Sequence, residues 1–332
     1  MPDVQILILA VIVLALAFDF INGFHDTANA IATSVSTRAI RPRNAIIMAA
    51  LLNFVGAMYS TGVAKTIGGD IVASASMVNE RVIIAALIGS IAWNIFTWWI
   101  AIPSSSSHAM VGGIIGAVLV SVGMDGLNLY GIGKIVLSLV SSPLVAIILG
   151  YVVMTILFKI FGNYAPSMLN SRFKKMQILS AAAMAFSHGS NDAQKSMGII
   201  TLALLSGGYI PVFEVPDYVK ISCAAAMAAG TATGGWKIIK TIGGKIFKLE
   251  PVSGFAADLN SSITIFTATL LHLPVSTTHV VSGSIMGVGT AKRIRAVRWG
   301  VAQQMFMAWV LTIPCSALVS ALAYQIILWV IP

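Results

Sequence analysis

Charge is scarce in this chain. Only 9% of its 332 residues are Asp, Glu, Lys or Arg, against roughly a quarter in an ordinary soluble domain. With 58% hydrophobic residues and a mean hydropathy of +0.91, it cannot build the charged surface that a soluble protein of this size needs. The composition describes a polytopic membrane protein, and no soluble domain is visible. Cysteine is also scarce. Cys223 and Cys315 lie in separate apolar stretches, without a CxxC or a His at ligand spacing, which argues against zinc or iron–sulfur chemistry. A Gly-x-Ser-x-Gly elbow is missing as well. Ser107 and His108, the nearest thing to a nucleophile and base, are neighbours that point about 100° apart on a helix, so an enzyme is not expected. The net charge of +9 does not point to nucleic acid, because the basic residues gather in short loops between apolar runs. Finally, the stretch from Val4 to about Ile21 lacks a basic leader and a small-residue cleavage site, and reads as a retained helix.

What the chain has instead is a duplicated phrase. Pro103-Ser-Ser-Ser-Ser-His108 and Pro274-Val-Ser-Thr-Thr-His279 each precede a glycine-rich run. Pro103, His108, Gly112, Gly116 and Pro143 recur 171 positions later as Pro274, His279, Gly283, Gly287 and Pro314. Upstream, Phe20-x-x-Gly23-x-x-Asp26 returns as Phe186-x-x-Gly189-x-x-Asp192, and Lys65-Thr-Ile-Gly-Gly69 as Lys240-Thr-Ile-Gly-Gly244. The spacing predicts two related halves, near residues 1–165 and 166–332.

Apolar runs at about 4–37, 44–66, 82–122, 132–161, 177–210, 217–241, 255–290 and 299–331 give each half one set of four, the third interrupted at its Pro-Ser phrase. Whether that interruption is the tip of a re-entrant hairpin or joins two full crossings, each half crosses an odd number of times, and the second half is then inverted. The lysines and arginines agree. With the N-terminus outside, Arg38, Arg41, Arg43, Lys159, Arg172, Lys174, Lys175, Lys237, Lys240, Lys245, Lys248, Lys292, Arg293, Arg295 and Arg298 all face inward. The outer loops keep Lys65, Arg81 and Lys134, with Lys220 near the outer surface and Lys195 within a membrane segment. The expected fold is therefore all-α and polytopic, with two inverted-topology repeats, each carrying a discontinuous helix and a Pro-Ser/Thr helical hairpin. The long stretches 132–161 and 299–331 are expected to cradle the hairpins.

The hydroxyl residues after each proline can cap the next helix, whose first N–H groups lack partners within it. Ser105, Ser106 and Ser107, with Ser276, Thr277 and Thr278, would surround an anion with hydroxyls and amides at two positive helix ends. Two inverted copies at membrane depth mark a transport site for a small oxyanion. The second constellation is Asn22-Gly-Phe-His25-Asp26 with Asn29, mirrored by His188-Gly-Ser-Asn191-Asp192 with Gln194. A carboxylate inside a membrane segment costs about 2.5 to 3.5 kcal/mol on insertion scales, so Asp26 and Asp192 are expected to be paired, cation-bound or protonated. Glycines that let the backbone unwind, beside Asn and Asp oxygens, would suit sodium. A salt bridge from Asp192 to Lys195 and a capping role for Asp26 are the alternatives. His25 and His188 could relay protons or simply satisfy hydrogen bonds, and His108 and His279 could orient the tips. Asp258 is a further cation ligand or a gate, and Trp93, Trp98 and Trp99 read as packing residues or interfacial anchors.

These motifs resemble the PiT family of inorganic phosphate transporters. Gly189-Ser-Asn191-Asp192 is similar to its Gly-x-Asn-Asp signature, Gly23-Phe-His25-Asp26-Thr-Ala-Asn29 to the first copy, and Leu273-Pro-Val-Ser-Thr-Thr-His279 to its hairpin phrase. The resemblance spans both halves. It implies phosphate uptake coupled to a cation gradient, external termini in a cell inner (plasma) membrane, a lipid bilayer around the chain, and an assembly compatible with a homodimer. Carried over, Asp26 and Asp192 match the essential acids. The hydroxyls at 105–107 and 276–278, joined by Gln194, match phosphate contacts. Asn22, Asn29, Asn191 and Asp258 fall where sodium ligands would lie, and no resident cofactor is implied. His25 stands where the signature has Asn, and Lys195 where the first half has Asn29. The rival is a proton-coupled phosphate or sulfate permease on the same scaffold; a passive channel is the other non-enzymatic reading.

Overall fold

A computed structural model describes residues 2–234 and 236–330. Met1, Ile331 and Pro332, at the outer ends of the two expected repeats, lie outside the described residues, as does the side chain of Lys237. The fold is all-helical, with no strand among the described residues beyond one isolated bridge, Val72 to Leu127. The helices of the first half are α1 (Pro2–Ser36), α2 (Pro42–Ala57), α3 (Gly62–Gly69), α4 (Glu80–Trp99), α5 (Ser106–Ser121) and α6 (Leu129–Phe161). Those of the second are α7 (Pro166–Asp192), α8 (Gln194–Ser206), α9 (Asp217–Thr233), α10 (Trp236–Gly244), α11 (Pro251–Leu270), α12 (Thr277–Lys292) and α13 (Trp299–Val330).

Local chemistry sets the helix ends. Prolines open α2, α7 and α11, where the missing N–H would have had no helical partner. Asn79 caps α4 through Val82 N, and Asn128 caps α6 through Gly131 N. The two hairpin turns are built alike. Ala101 and His272, 171 positions apart, both close their helix at φ +58°. Their N–H groups bond to Trp98 O and Thr269 O, and the next residues, Ile102 and Leu273, reach back to Thr97 O and Ala268 O. This is the Schellman closure, and in each half the proline that cannot continue a helix follows two residues later.

Packing crosses between the halves. The α4–α5 hairpin lies against α13, and the α11–α12 hairpin against α6; α1 packs on α9 and α10, α2 on α7, and α3 on α8. Helices α5 and α12 are almost wholly buried, whereas α6 and α13 expose Leu137, Leu144, Ile148, Leu318, Leu322 and Ile326. At 33 and 32 residues, these two outer helices reach about 48 to 50 Å at 1.5 Å per residue, longer than a hydrocarbon core of ~30 Å. Gly116 of α5 and Gly287 of α12 let the hairpins approach them. A Cβ at Gly116 would sit 2.0 Å from the Ala317 carbonyl oxygen, and one at Gly287 2.1 Å from that of Ile147.

Two apolar cores form, and each draws on both halves. One joins Val11, Phe18, Leu87 and Met110 to Met197 and Met227; the other joins Ile31 and Ala49 to Ile238, Ile265 and Ile285. A polar layer separates them. On α1, Phe18 belongs to the first core and Ala28 to the second, with Asp19, Asn22, His25 and Asp26 buried between.

Two expectations need correction. Helix α1 runs unbroken through Gly23 and Asp26 to Ser36, so the first acid motif does not lie on a discontinuous helix. The second half breaks at a single residue, Ala193, which is itself helical at φ −65°, ψ −23°. The glycines serve close approach rather than unwinding. A Cβ at Gly23 would lie 2.3 Å from the Met227 carbonyl oxygen, and one at Gly189 2.2 Å from that of Asn53. The run at 44–66 is not one straight span either, since α2 and α3 meet at 73° across residues 58–61.

Candidate functional site

The two hairpin tips meet inside the polar layer. The rings of His108 and His279 lie 4.6 Å apart, and the Ser107 hydroxyl donates to Val275 O at 2.7 Å. Ser105 and Ser276 cap α5 and α12 by accepting from His108 N at 3.1 Å and His279 N at 3.2 Å. Their oxygens therefore shape the tips. The residues that follow face the two acids.

Asp26 accepts from His25 Nδ1 at 2.7 Å and Thr278 Oγ1 at 3.2 Å on one oxygen, and from Ser106 Oγ at 3.3 Å on the other. Asp192 gathers its contacts on Oδ2: Lys195 Nζ at 3.0 Å, Thr277 Oγ1 at 3.2 Å, Asn22 Nδ2 at 3.4 Å and His188 Nε2 at 3.5 Å. Lys195 also donates to Ser106 Oγ at 2.8 Å. Asn29 Nδ2 reaches Thr278 Oγ1 at 2.9 Å and Thr277 Oγ1 at 3.3 Å. Five helices of both halves, α1, α5, α7, α8 and α12, thus converge, and ligand atoms of Asp26, His188 and Asp192 lie within 4.8 Å of one another. Asn22 Oδ1, Asn29 Oδ1 and Asp192 Oδ1 are buried acceptors without a hydrogen-bond partner. Such groups are costly unless something fills them, and hard oxygen ligands are what a small hard cation takes.

Three expected residues stand elsewhere. Gln194 does not join the hydroxyls, because its Oε1 accepts from Ala64 N at 3.1 Å and its Nε2 donates to Ser190 O; it ties α8 to α3. Asp258 sits apart, accepting from Thr33 Oγ1 beside Gln177, with Oδ2 unpartnered. Asn191 braces the second tip, donating to Thr269 Oγ1 at 3.0 Å and Leu273 O at 3.3 Å and accepting from Val275 N at 3.4 Å. Both of its amide functions are engaged by protein. Conversely, sequence reasoning missed Asn53, whose Oδ1 lies 3.1 Å from His188 Nδ1, and Asp19, whose Oδ1 accepts from Ser196 Oγ at 2.7 Å. A lone polar residue inside an apolar run was the available signal for each. A cavity of about 750 Å³ between α6 and α13 reaches the backs of His108 and His279, but its other walls are almost wholly apolar. Such walls do not suit an oxyanion.

Residues 22–320 match the family described as the phosphate transporter family. The chain belongs to the phosphate transporter family. A Bacillus subtilis (strain 168) protein named "Probable low-affinity inorganic phosphate transporter" is 52% identical over 98% of this chain and 99% of its own length. A Rhizobium meliloti (strain 1021) protein of the same name is 47% identical over 96% of both. A solved structure described as "The sodium-dependent phosphate transporter" superposes with a TM-score of 0.87 at 27% identity, covering 98% of this chain and 100% of that one. This family and these relatives are transporters rather than enzymes. With its long apolar helices, the chain is an integral membrane protein.

Proposed function

We propose that this chain takes up inorganic phosphate together with sodium by alternating access, and that phosphate binds between the two hairpin tips. The observation that carries the reading is the sharing of hydroxyls. Ser106, Thr277 and Thr278 donate to the two carboxylates, so these hydroxyls are turned toward Asp26 and Asp192. A sodium ion at those carboxylates, completed by Asn22 and Asn29 oxygens, supplies the positive charge the hydroxyls otherwise supply. The hydroxyls are then free to turn to phosphate, alongside the amides of Ser106, Ser107, Thr277 and Thr278 at the two helix N-termini. Each ligand thereby improves the site for the other, which is the coupling free energy a symporter needs. The solved relative is described as sodium-dependent.

Rocking of two inverted repeats, 1–165 and 166–332, would expose the site to each side in turn. The paired hairpin closures at Ala101 and His272 and the reciprocal packing of each hairpin on the other half's last helix support that reading. The same scheme keeps both termini outside a plasma membrane, in a bilayer-embedded chain able to form a homodimer, with sodium as the coupling ion and no resident cofactor.

Radiolabelled phosphate uptake into proteoliposomes tests this. Accumulation driven by an inward sodium gradient, absent with potassium or choline and resistant to excess sulfate, is the expected result. Proton coupling is the second reading, favoured by the unpartnered Nε2 of His25 beside Asp26. Accumulation driven only by a pH gradient would select it, and loss to sulfate would move the substrate.

A further inference from the structure

The two acids stand at equivalent places, 166 positions apart, but the residue one turn on differs: Asn29 follows Asp26, and Lys195 follows Asp192. Lys195 is fully buried, and its ammonium group lies 3.0 Å from Asp192 Oδ2 and 2.8 Å from Ser106 Oγ. Ser106 in turn donates to Asp26. The ammonium therefore sits where a cation held by Asp192 and a hydroxyl of the opposite hairpin would sit. We infer that Lys195 is a built-in cation that permanently fills the second-half cation position, leaving Asp26 as the centre of the one position in this site that exchanges sodium.

The charges support this assignment. Asp26, Asp192 and Lys195 together carry one net negative charge, so one sodium neutralises the site before the anion enters. Without Lys195 the same space would hold two carboxylates and no lysine or arginine, and a second mobile cation would be needed to offset them. The geometry is also asymmetric in the way a fixed cation requires. Every contact of Asp192 falls on the oxygen facing Lys195, while Asp26 takes hydroxyl donors on both oxygens and no lysine. The inference rests on the sodium-coupled reading above and adds a stoichiometry to it.

The test measures labelled sodium bound by the purified full-length protein, and the sodium dependence of phosphate uptake, in wild type, Lys195→Met and Lys195→Asn. Met keeps the stem and removes the charge; Asn copies the first half. In wild type the sodium activation of uptake should have a slope near one. Both variants should bind about one additional sodium per chain and show a slope steeper by about one, with phosphate binding weakened at low sodium and recovered at high sodium. A wild-type slope of two or more overturns the inference. So does unchanged sodium binding in variants that elute as single species. So does phosphate binding lost at every sodium concentration, which would make Lys195 a phosphate ligand instead. Wild-type uptake with no sodium dependence at all would sink the sodium-coupled reading itself, and that result is visible before any variant is made.

Discussion

Asp26 and Asp192 are the same residue in two copies of one motif, yet they live in different surroundings. Asp26 is held by the His25 ring and the hydroxyls of Thr278 and Ser106. Asp192 is held by an ammonium group. The difference teaches that duplication supplies the scaffold and divergence of one neighbour decides what each copy does. On the proposed reading the first-half acid exchanges its cation, whereas the second-half acid keeps the Lys195 ammonium group.

The largest effects expected come from neutralising each acid. Asp26→Asn should abolish sodium-coupled uptake in proteoliposomes while the melting temperature in detergent stays near wild type, since no buried lysine loses its counter-charge. Asp192→Asn should abolish uptake too, but it strands Lys195 in the interior. Breaking a buried pair costs on the order of 3 kcal/mol, so its melting temperature should fall by several degrees. Equal stabilities for the two variants would break the comparison.

Next come the hydroxyls that face the acids. Thr278 serves Asp26 and accepts from Asn29 at 2.9 Å, whereas Thr277 accepts from Asn29 only at 3.3 Å and serves an acid that Lys195 already pairs with. Thr278→Val should therefore raise the phosphate KM roughly tenfold, the equivalent of one lost hydrogen bond to a charged group at about 1.4 kcal/mol. Thr277→Val should raise it less. A larger effect at Thr277 would reverse the assignment of the exchanging side. Gln194→Ala, by contrast, should lower thermal stability with little change in KM, because Gln194 braces Ala64 rather than the tips.

The smallest effects expected lie in the hairpin turns. Ala101 adopts a left-handed conformation at φ +58°, which disfavours a Cβ by about 1 kcal/mol, so Ala101→Gly should raise the melting temperature slightly. His272→Gly relieves the same conformation but removes a ring that lies over Gly62, so it should gain less or lose. Differential scanning of the two variants reads the contrast directly.

Much of this was legible in the residues. The apolar runs become helices, and the Pro-Ser and Pro-Val phrases become the turns before α5 and α12, because proline ends a helix and hydroxyls cap one. The pairing of Asp192 with Lys195 was available from their spacing of three. Other features were not legible, since they depend on what approaches from elsewhere in the chain. Gly23 and Gly189 look like breaks but are contact points for Met227 and Asn53. Gln194 looks like a ligand until α3 folds over it, and the bend between α2 and α3 lies inside a continuous apolar run. Asp258 shares its type with the central acids, but only the packing of α11 on α7, which brings Gln177 beside it, shows that it belongs to a separate cluster.

The central claim is that cation and phosphate help each other because sodium at Asp26 replaces the Ser106 and Thr278 hydroxyls, which phosphate can then bind. Equilibrium binding of labelled phosphate to the purified protein, with and without saturating sodium, tests it most directly. The account predicts that sodium tightens phosphate binding tenfold or more, by a coupling of about 1.4 kcal/mol, and that phosphate tightens sodium binding by the same factor. Equal phosphate affinity in sodium and in choline would contradict it.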